Sequence, residues 1–221
     1  MKYDYSPWIF EDLKKWEGLT DKKYLINLKK RAVIYEQDDE VSYLYILKKG
    51  RVRLLYLAPD GTEHVMLFVL PGGIFGECEC IEKRQSLFRA EALSDISLYK
   101  VPRFAVLETL KERKMSLLVM KNMMKKISLL ETEFISMSVD DTKIRVARTL
   151  LYAADTFGSL DNGILRIELT ITQQDIANLV HSTRLTVGNI LREFISRGLI
   201  KKENKHFYLL DKEGLEREVS G

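Results

Sequence analysis

Between positions 32 and 101 the apolar residues recur with a period of two, in short segments separated by turn residues. This alternation is typical of β-strands that bury one face in a core. The turns contain glycine, proline and aspartate, as in Pro59-Asp60-Gly61. Strands at intervals of about ten residues predict a β-sandwich or a barrel-like roll. The predicted strands cover 32–35, 43–47, 52–57, 64–70 and 90–101.

Residues 1 to about 28 instead carry their apolar side chains at helical spacing, which predicts short helices that cover the roll. After Pro102 the pattern is helical again, with no glycine or proline until Gly158. A seam at three-and-four spacing predicts a long helix that pairs in parallel with a second copy of the chain. The alternative is that these side chains pack on the roll. The seam residues are Leu117, Met120, Met124, Ile127 and Phe134, with Met123, Leu130 and Met137 on an overlapping seam.

A change of direction is expected within 138–142, where capping residues precede a new amphipathic helix. A strand at 164–169, two short helices and a last strand at 206–210 follow, which is the order of a winged helical module. The sequence therefore predicts an α+β fold. Its parts are a jelly-roll-like β-roll over 1–103, a dimerisation helix over 104–138 and a winged helix-turn-helix over 139–221.

The segment 171–194 predicts the helix-turn-helix. Thr172 can cap its first helix, and Ser182 or Thr183 can cap the second. The start of the second helix would enter the major groove of double-stranded DNA and contact base edges. Basic residues outnumber acidic ones from 184 to 205, which suits a phosphate backbone. The expected base-reading residues are Arg184, Leu185, Thr186 and Asn189, and the expected phosphate contacts are Ser182, Thr183, Thr186 and Lys201.

The composition of the chain excludes several functional classes of protein. The chain has 221 residues, 46% of them hydrophobic, and a formal net charge of +3, so a basic surface has to be local. Cys78 and Cys80 are the two cysteines, which excludes a secreted disulfide framework. No apolar run is long enough to span a membrane, and a cytoplasmic location is expected. The histidines His64, His181 and His206 lie far apart in sequence, and no catalytic constellation is expected; the protein is predicted not to be an enzyme.

Two motifs of this sequence resemble motifs of the CRP/FNR family of dimeric bacterial transcription regulators, and they occur in the same order along the chain as in that family. One is the helix-turn-helix, and the other is the run 71–77, Pro-Gly-Gly-Ile-Phe-Gly-Glu, which is similar to the family's effector-domain signature. The resemblance implies a β-roll that binds a small-molecule effector, a long dimer helix and a winged helix-turn-helix that reads a two-fold symmetric operator. Expected partners are double-stranded DNA, a second copy of the chain and, for an activator, RNA polymerase; no membrane partner is expected.

Some of the expected effector-binding residues match the cyclic-AMP-binding branch of the family, and one matches the halophenol-sensing branch. Gly76, Glu77 and Arg84 match the cyclic-AMP-binding members of the family, but Gln85 stands where they have a serine and the intervening loop is shorter. Cyclic AMP is therefore doubtful. Lys126 stands at the position of the phenolate-binding lysine of the halophenol-sensing branch, which suggests an aromatic anion. The alternative is that Lys126 faces solvent.

Two other interpretations stay open at this point. Cys78 and Cys80 could serve a haem-based or thiol-based sensor on the same DNA-binding scaffold, or could be two small semi-buried thiols. The roll could also be a ligand-binding protein without a transcriptional role, although that leaves the last third of the chain unexplained. No metal site is predicted, and the sequence names no certain cofactor.

Overall fold

A computed structural model describes residues 8–220 of the chain. The first seven residues of the predicted roll and Gly221 lie outside this range. The described residues divide into two compact units, with the division between Leu129 and Leu130 inside one long helix. Each unit is described by itself.

The N-terminal unit is built on two sheets, which together form the roll. The strands are β1 Trp8–Ile9, β2 Leu25–Leu28, β3 Val33–Tyr35, β4 Tyr43–Lys49, β5 Val52–Leu57, β6 Glu63–Val69, β7 Ile74–Phe75, β8 Arg89–Ala92 and β9 Ile96–Pro102. One sheet has five strands in the order β1-β6-β5-β8-β3, and the other has four in the order β2-β9-β4-β7. Neighbouring strands are antiparallel except for β1, which pairs in parallel with β6.

The segment 8–28 departs from the helical prediction. Only Leu13–Leu19 and Lys22–Tyr24 are helical, both as 3₁₀ turns, and Leu25–Leu28 is a strand paired with β9. The helical assignment was wrong for this strand because its hydrogen-bond partners lie about seventy positions away and leave no local pattern. The 3₁₀ turns cover the roll through Trp16, whose Nε1 donates a 2.8 Å hydrogen bond to the carbonyl of Gly72.

The α-helices of this unit are α1 Glu77–Glu82, α2 Arg103–Thr109 and the first part of α3 Arg113–Val139. Both α1 and α2 pack on β4. The predicted helix over 104–138 is thus two helices. Val106 and Met115 both belong to the core around Trp16. Nine residues is about two and a half helical turns, so one continuous helix would place these two side chains on opposite faces. The break before Arg113 lets both reach the same core.

The C-terminal unit has the predicted winged arrangement and three further elements, two strands and a helix. Its elements are α4 Thr142–Phe157, β10 Gly158–Asp161, β11 Ile164–Ile167, α5 Gln173–Leu179, α6 Arg184–Ser196, β12 Ile200–Glu203, β13 His206–Leu209 and α7 Lys212–Ser220. The sequence did not predict β10, β12 or α7. The sheet has the antiparallel order β10-β11-β13-β12, so the wing strand found in the sequence has the partner β12. The last helix, α7, packs on α4.

Candidate nucleic-acid interface and effector site

The first helix of the helix-turn-helix begins at a complete capping box. The Thr172 side chain accepts a 3.0 Å hydrogen bond from the backbone N–H of Asp175, and the Asp175 carboxylate accepts one of 2.9 Å from the backbone N–H of Thr172. These two bonds satisfy donors that would otherwise be unpaired at the start of α5. Ile176 and Leu179 are buried on its inner face. The predicted cap and buried face are therefore both present.

The turn between the two helices depends on His181. Its φ of +48° lies in the left-handed region, where a residue other than glycine is uncommon. This conformation brings the backbone N–H of Ser182 within 2.9 Å of the Ala177 carbonyl. The imidazole Nε2 of His181 lies 4.0 Å from a carboxylate oxygen of Glu133. Of the two predicted caps, it is Thr183 that caps α6, because its hydroxyl accepts a 3.1 Å hydrogen bond from the Thr186 N–H.

One face of helix α6 is buried, and the residues of its other face are exposed at the N-terminal end. Val187, Leu191 and Phe194 are fully buried against the unit. Leu185 is 72% exposed, although it is a large apolar residue. An exposed leucine beside polar residues suits contact with a thymine methyl group. The other predicted base-reading residues, Arg184, Thr186 and Asn189, are also exposed.

Asn189 has a partner that the sequence did not reveal. Its Oδ1 accepts a hydrogen bond from Nη2 of Arg192, one turn further along α6, and Nε of Arg192 lies 3.3 Å from the Gly188 carbonyl. Because Oδ1 is engaged, the free hydrogen-bonding capacity of the amide is mainly that of its two N–H donors. The i, i+3 spacing is the sequence signal that could have identified this pair.

The wing, which β12 and β13 form, adds positive charge beside α6. The ammonium of Lys201 lies 4.4 Å from the ring centre of Tyr208 and 3.0 Å from a Glu203 carboxylate oxygen. The ammonium of Lys202 lies 4.9 Å from the ring centre of Phe207. Both lysines therefore sit over aromatic rings of β13 with their charges near the surface, where they can meet phosphate groups.

The junction between α3 and α4 is held by two arginines that sequence reasoning did not single out, and one of them also bonds the turn of the helix-turn-helix. Arg145 donates a 3.1 Å hydrogen bond from Nε to the Val180 carbonyl, in the turn, and one of 2.6 Å from Nη1 to the Asp140 carbonyl. Arg148 lies 2.5 Å from the carboxylate of Asp140. The predicted change of direction is therefore cross-linked by hydrogen bonds within the C-terminal unit.

In the N-terminal unit, three of the five predicted effector residues come together. Gly76 precedes α1 with a φ of +74°, and a Cβ there would lie 2.9 Å from the Tyr43 carbonyl, so glycine is required. Glu77 is only 3% exposed. Its Oε1 lies 2.5 Å from Nζ of Lys126, which also donates a 2.9 Å hydrogen bond to the Ile74 carbonyl. Lys126 thus does not face solvent, and its ammonium group is already paired.

The other two predicted effector residues lie outside this cluster. Arg84 is exposed, with Nε 3.4 Å from a Glu82 carboxylate oxygen and Nη2 3.9 Å from Oε1 of Glu79. Gln85 is exposed and forms an isolated backbone bridge with Glu40. Arg84 therefore points toward the two carboxylates of its own segment.

Aromatic rings pack inside the roll. Tyr45 stacks on Phe75 with ring centres 5.0 Å apart, and Tyr35 lies 5.7 Å from Tyr45. Burial, reinforced by the charges of Glu79 and Glu77, raises the pKa of Tyr35 well above its usual range. Burial also raises the pKa of the Glu79 carboxyl group. Sequence reasoning missed this cluster because its members are far apart along the chain.

The two cysteines are free thiols. Burial raises the pKa of Cys78, and it raises the pKa of Cys80 to about 11. Both groups are thus held in the thiol form, which is the less nucleophilic one and the poorer metal ligand. Within residues 8–220, no three histidine, cysteine or acidic side chains are grouped in a way that could hold a metal ion. In the same range, no helix combines the length and the apolar character that crossing a bilayer requires.

Two family models match the chain, one for each unit. A cyclic nucleotide-binding domain matches residues 25–113, and a Crp-like helix-turn-helix domain matches residues 144–218. The curated transcriptional regulator LdrP of Thermus thermophilus is 31% identical over 192 residues, which are 86% of this chain and 94% of that protein.

Two further relatives agree with these matches. A CRP-like cAMP-activated global transcriptional regulator of Mycobacterium tuberculosis is 26% identical over 201 residues, 90% of each chain. The crystal structure of a CRP-family transcriptional regulator from Thermus thermophilus superposes with a TM-score of 0.73 at 27% identity, covering 89% of this chain and 97% of that one.

Proposed function

Because the chain belongs to the CRP/FNR family of transcription regulators, we propose that it is an effector-responsive homodimer that binds a two-fold symmetric DNA operator. The observation that carries the proposal is the exposed start of α6, where Arg184, Leu185, Thr186 and Asn189 face solvent beside the basic wing. A helix presented in this way fits the major groove. Because such a regulator works on the chromosome, we also propose a cytoplasmic location.

The homodimer is supported by the apolar seam of α3. In the N-terminal unit Leu117, Met120, Met124 and Ile127 are exposed, and in the C-terminal unit Phe134 is 75% exposed. The opposite face of the helix is used inside the N-terminal unit, since Met115 and Val119 belong to its core. Five large apolar side chains at heptad-like spacing cannot remain in water at no cost, and a second copy of the same helix covers them.

The base-reading roles follow from donor and acceptor geometry. Arg184 can donate two hydrogen bonds to the O6 and N7 atoms of a guanine. Leu185 fits a thymine methyl group. Asn189, with Oδ1 engaged by Arg192, presents N–H donors and so fits a base-edge acceptor. Ser182, Thr183 and Lys201 are assigned to phosphate groups, together with Thr186.

Selection of operators from a random DNA library by the full-length protein tests this function. We expect an enriched sequence with two-fold symmetry, whose half-sites lie about 34 Å, one turn of DNA, apart. Fluorescence anisotropy should then give much tighter binding to the full site than to one half-site. Enrichment of an unsymmetrical sequence, or equal binding to all sequences, would contradict the proposal.

For the role of the roll, we propose that an effector acts by changing the contact between the roll and α3. The pair Glu77 and Lys126 forms one such contact, because it joins α1 to α3 within the N-terminal unit. Where the protein activates transcription, RNA polymerase is its further partner.

A further inference from the structure

Inside the N-terminal unit, the ammonium group of Lys126 occupies a site made of hydrogen-bond acceptors. Oε1 of Glu77 lies 2.5 Å from Nζ, and the Ile74 carbonyl oxygen lies 2.9 Å from it. A carboxylate and a carbonyl are the partners that an ammonium ion requires, since it has three donors and no acceptor. The chain itself therefore shows which kind of charge this site holds.

The site has more acceptors than Lys126 satisfies. Oε2 of Glu77 is fully buried and has no hydrogen-bond partner. Asn122 lies one helical turn before Lys126 on α3, is fully buried, and its Oδ1 also lacks a partner. Buried acceptors without donors are costly, so an ammonium group that is not tethered to α3, and can therefore aim its three N–H donors at these acceptors, would be stabilised here.

The surroundings favour a cation over an anion. Glu79 is a second buried carboxylate on α1, close enough to Glu77 for the two charges to interact. The rings of Tyr35, Tyr45 and Phe75 pack inside the same roll, and aromatic faces attract cations. Arg84, the cationic side chain that matches the cyclic-AMP-binding members of the family, is exposed and lies near Glu79 and Glu82. An incoming anion would meet two carboxylates and a lysine that is already neutralised.

We propose that the roll binds an organic cation with a primary ammonium group, which takes the place of the Lys126 ammonium on Glu77 and on the Ile74 carbonyl. This inference rests on the proposed function, because it names the class of effector. The exchange keeps the buried charge of Glu77 paired throughout, which avoids the large penalty of an isolated buried carboxylate. The Lys126 side chain is 14% exposed, so its flexible stem borders the surface and can swing out. Its release would loosen α3 from the roll.

Calorimetric titration of the full-length protein tests this assignment. The cationic probe is 1,4-diaminobutane, and the anionic probes are 4-hydroxyphenylacetate and cyclic AMP. The substitution Lys126→Ala removes three carbons and the ammonium, which are the atoms of n-propylammonium, so this ion is the probe for that variant. Lys125→Ala is the matched control, since it removes a neighbouring lysine of α3 that pairs with Glu11 at the surface. The double variant K126A/E77Q removes the carboxylate as well.

We expect 1,4-diaminobutane to bind the wild type saturably and the two anions not to bind. n-Propylammonium should bind Lys126→Ala about tenfold more tightly than it binds the wild type, where it competes with the Lys126 ammonium. It should not bind Lys125→Ala more tightly than the wild type, and K126A/E77Q should lose the binding. If Lys126→Ala does not fold without added amine, the wild-type titrations still decide the question.

Saturable binding of either anion to the wild type, without binding of the diamine, would overturn the inference. So would equal binding of n-propylammonium to Lys126→Ala and to the double variant. These titrations contain no DNA, so a failure to select an operator would count against the proposed function alone.

Discussion

The carboxylate of Asp140 lies 2.5 Å from Nη1 of Arg148, at the two-residue break between α3 and α4. The same carboxylate accepts a 2.7 Å hydrogen bond from the Ser136 hydroxyl. Burial acts to raise the pKa of Asp140, but the bonds from Arg148 and Ser136 outweigh it and lower the pKa below its usual value. One carboxylate thus holds together the end of one helix and the first turns of the next.

Replacing this carboxylate should destabilise the junction. We expect Asp140→Asn to lower the free energy of unfolding by about 2 kcal/mol, because it removes the negative charge that faces the partly buried Arg148. Urea denaturation measures the change, and hydrogen exchange should locate faster opening at the start of α4. Asp155→Asn is the control. Asp155 pairs with Lys212 at the surface, and its loss should cost less than about 0.5 kcal/mol. Equal effects of both variants would contradict a special role for Asp140.

The proposed dimer contact along the apolar seam of α3 can be tested by introducing one charged side chain. Phe134→Asp places a carboxylate on the seam at its most exposed apolar residue, and the dimer dissociation constant should rise by about a hundredfold or more. Sedimentation equilibrium measures it. Phe104→Asp is the matched control, because Phe104 on α2 is 73% exposed and lies outside the seam. A dimer that both variants leave unchanged would mean that α3 is not the contact.

Two substitutions separate base reading from phosphate contact. Arg184→Ala should weaken binding to the selected operator by about 1–3 kcal/mol and relax one base position in each half-site. Lys201→Ala should weaken binding to all sequences alike and reduce the slope of log affinity against log salt by about one. Anisotropy titrations over a series of single-base operator variants show the difference. The Arg184 role would be wrong if its loss weakened binding equally on every sequence.

The N-terminal unit should lose stability in acid through Glu11. Burial raises the pKa of this carboxyl group, but hydrogen bonds from Lys15, Lys125 and the Asp12 backbone outweigh it and lower the pKa from 4.5 to about 2. A lowered carboxyl pKa means that its stabilisation is complete above pH 4.5 and is lost as the pH falls toward 2. The partner lysines are half exposed, so we expect Glu11→Gln to cost about 1 kcal/mol at neutral pH.

The measurement is urea denaturation of both proteins at several pH values. The difference in unfolding free energy between wild type and Glu11→Gln should shrink below pH 4.5 and nearly vanish at about pH 2. Glu108→Gln is the control, because Glu108 pairs with Lys111 at an exposed position and should matter little at any pH. A difference that stays constant with pH would show that the carboxylate charge is not the cause.

Features that depend on neighbouring residues could be predicted from the sequence. The capping box of Thr172 and Asp175 and the Thr183 cap are local hydrogen bonds with a fixed spacing, so they set where both helices of the helix-turn-helix begin. The α3 seam and most strands of the roll follow from hydrophobic period alone. The family resemblance rests on the helix-turn-helix and on the run 71–77, and the comparisons confirm it.

Other features were decided only by the tertiary structure, because they depend on contacts between residues far apart in the chain. The strand Leu25–Leu28 exists through its pairing with Ile96 to Tyr99, and helical spacing concealed it. The break between α2 and α3 follows from the need to bury Val106 and Met115 in one core. From the sequence, Lys126 was expected either to bind an anion or to face solvent. Burial of Glu77, forty-nine positions earlier, made it a counter-ion, because a carboxylate removed from water needs a positive partner.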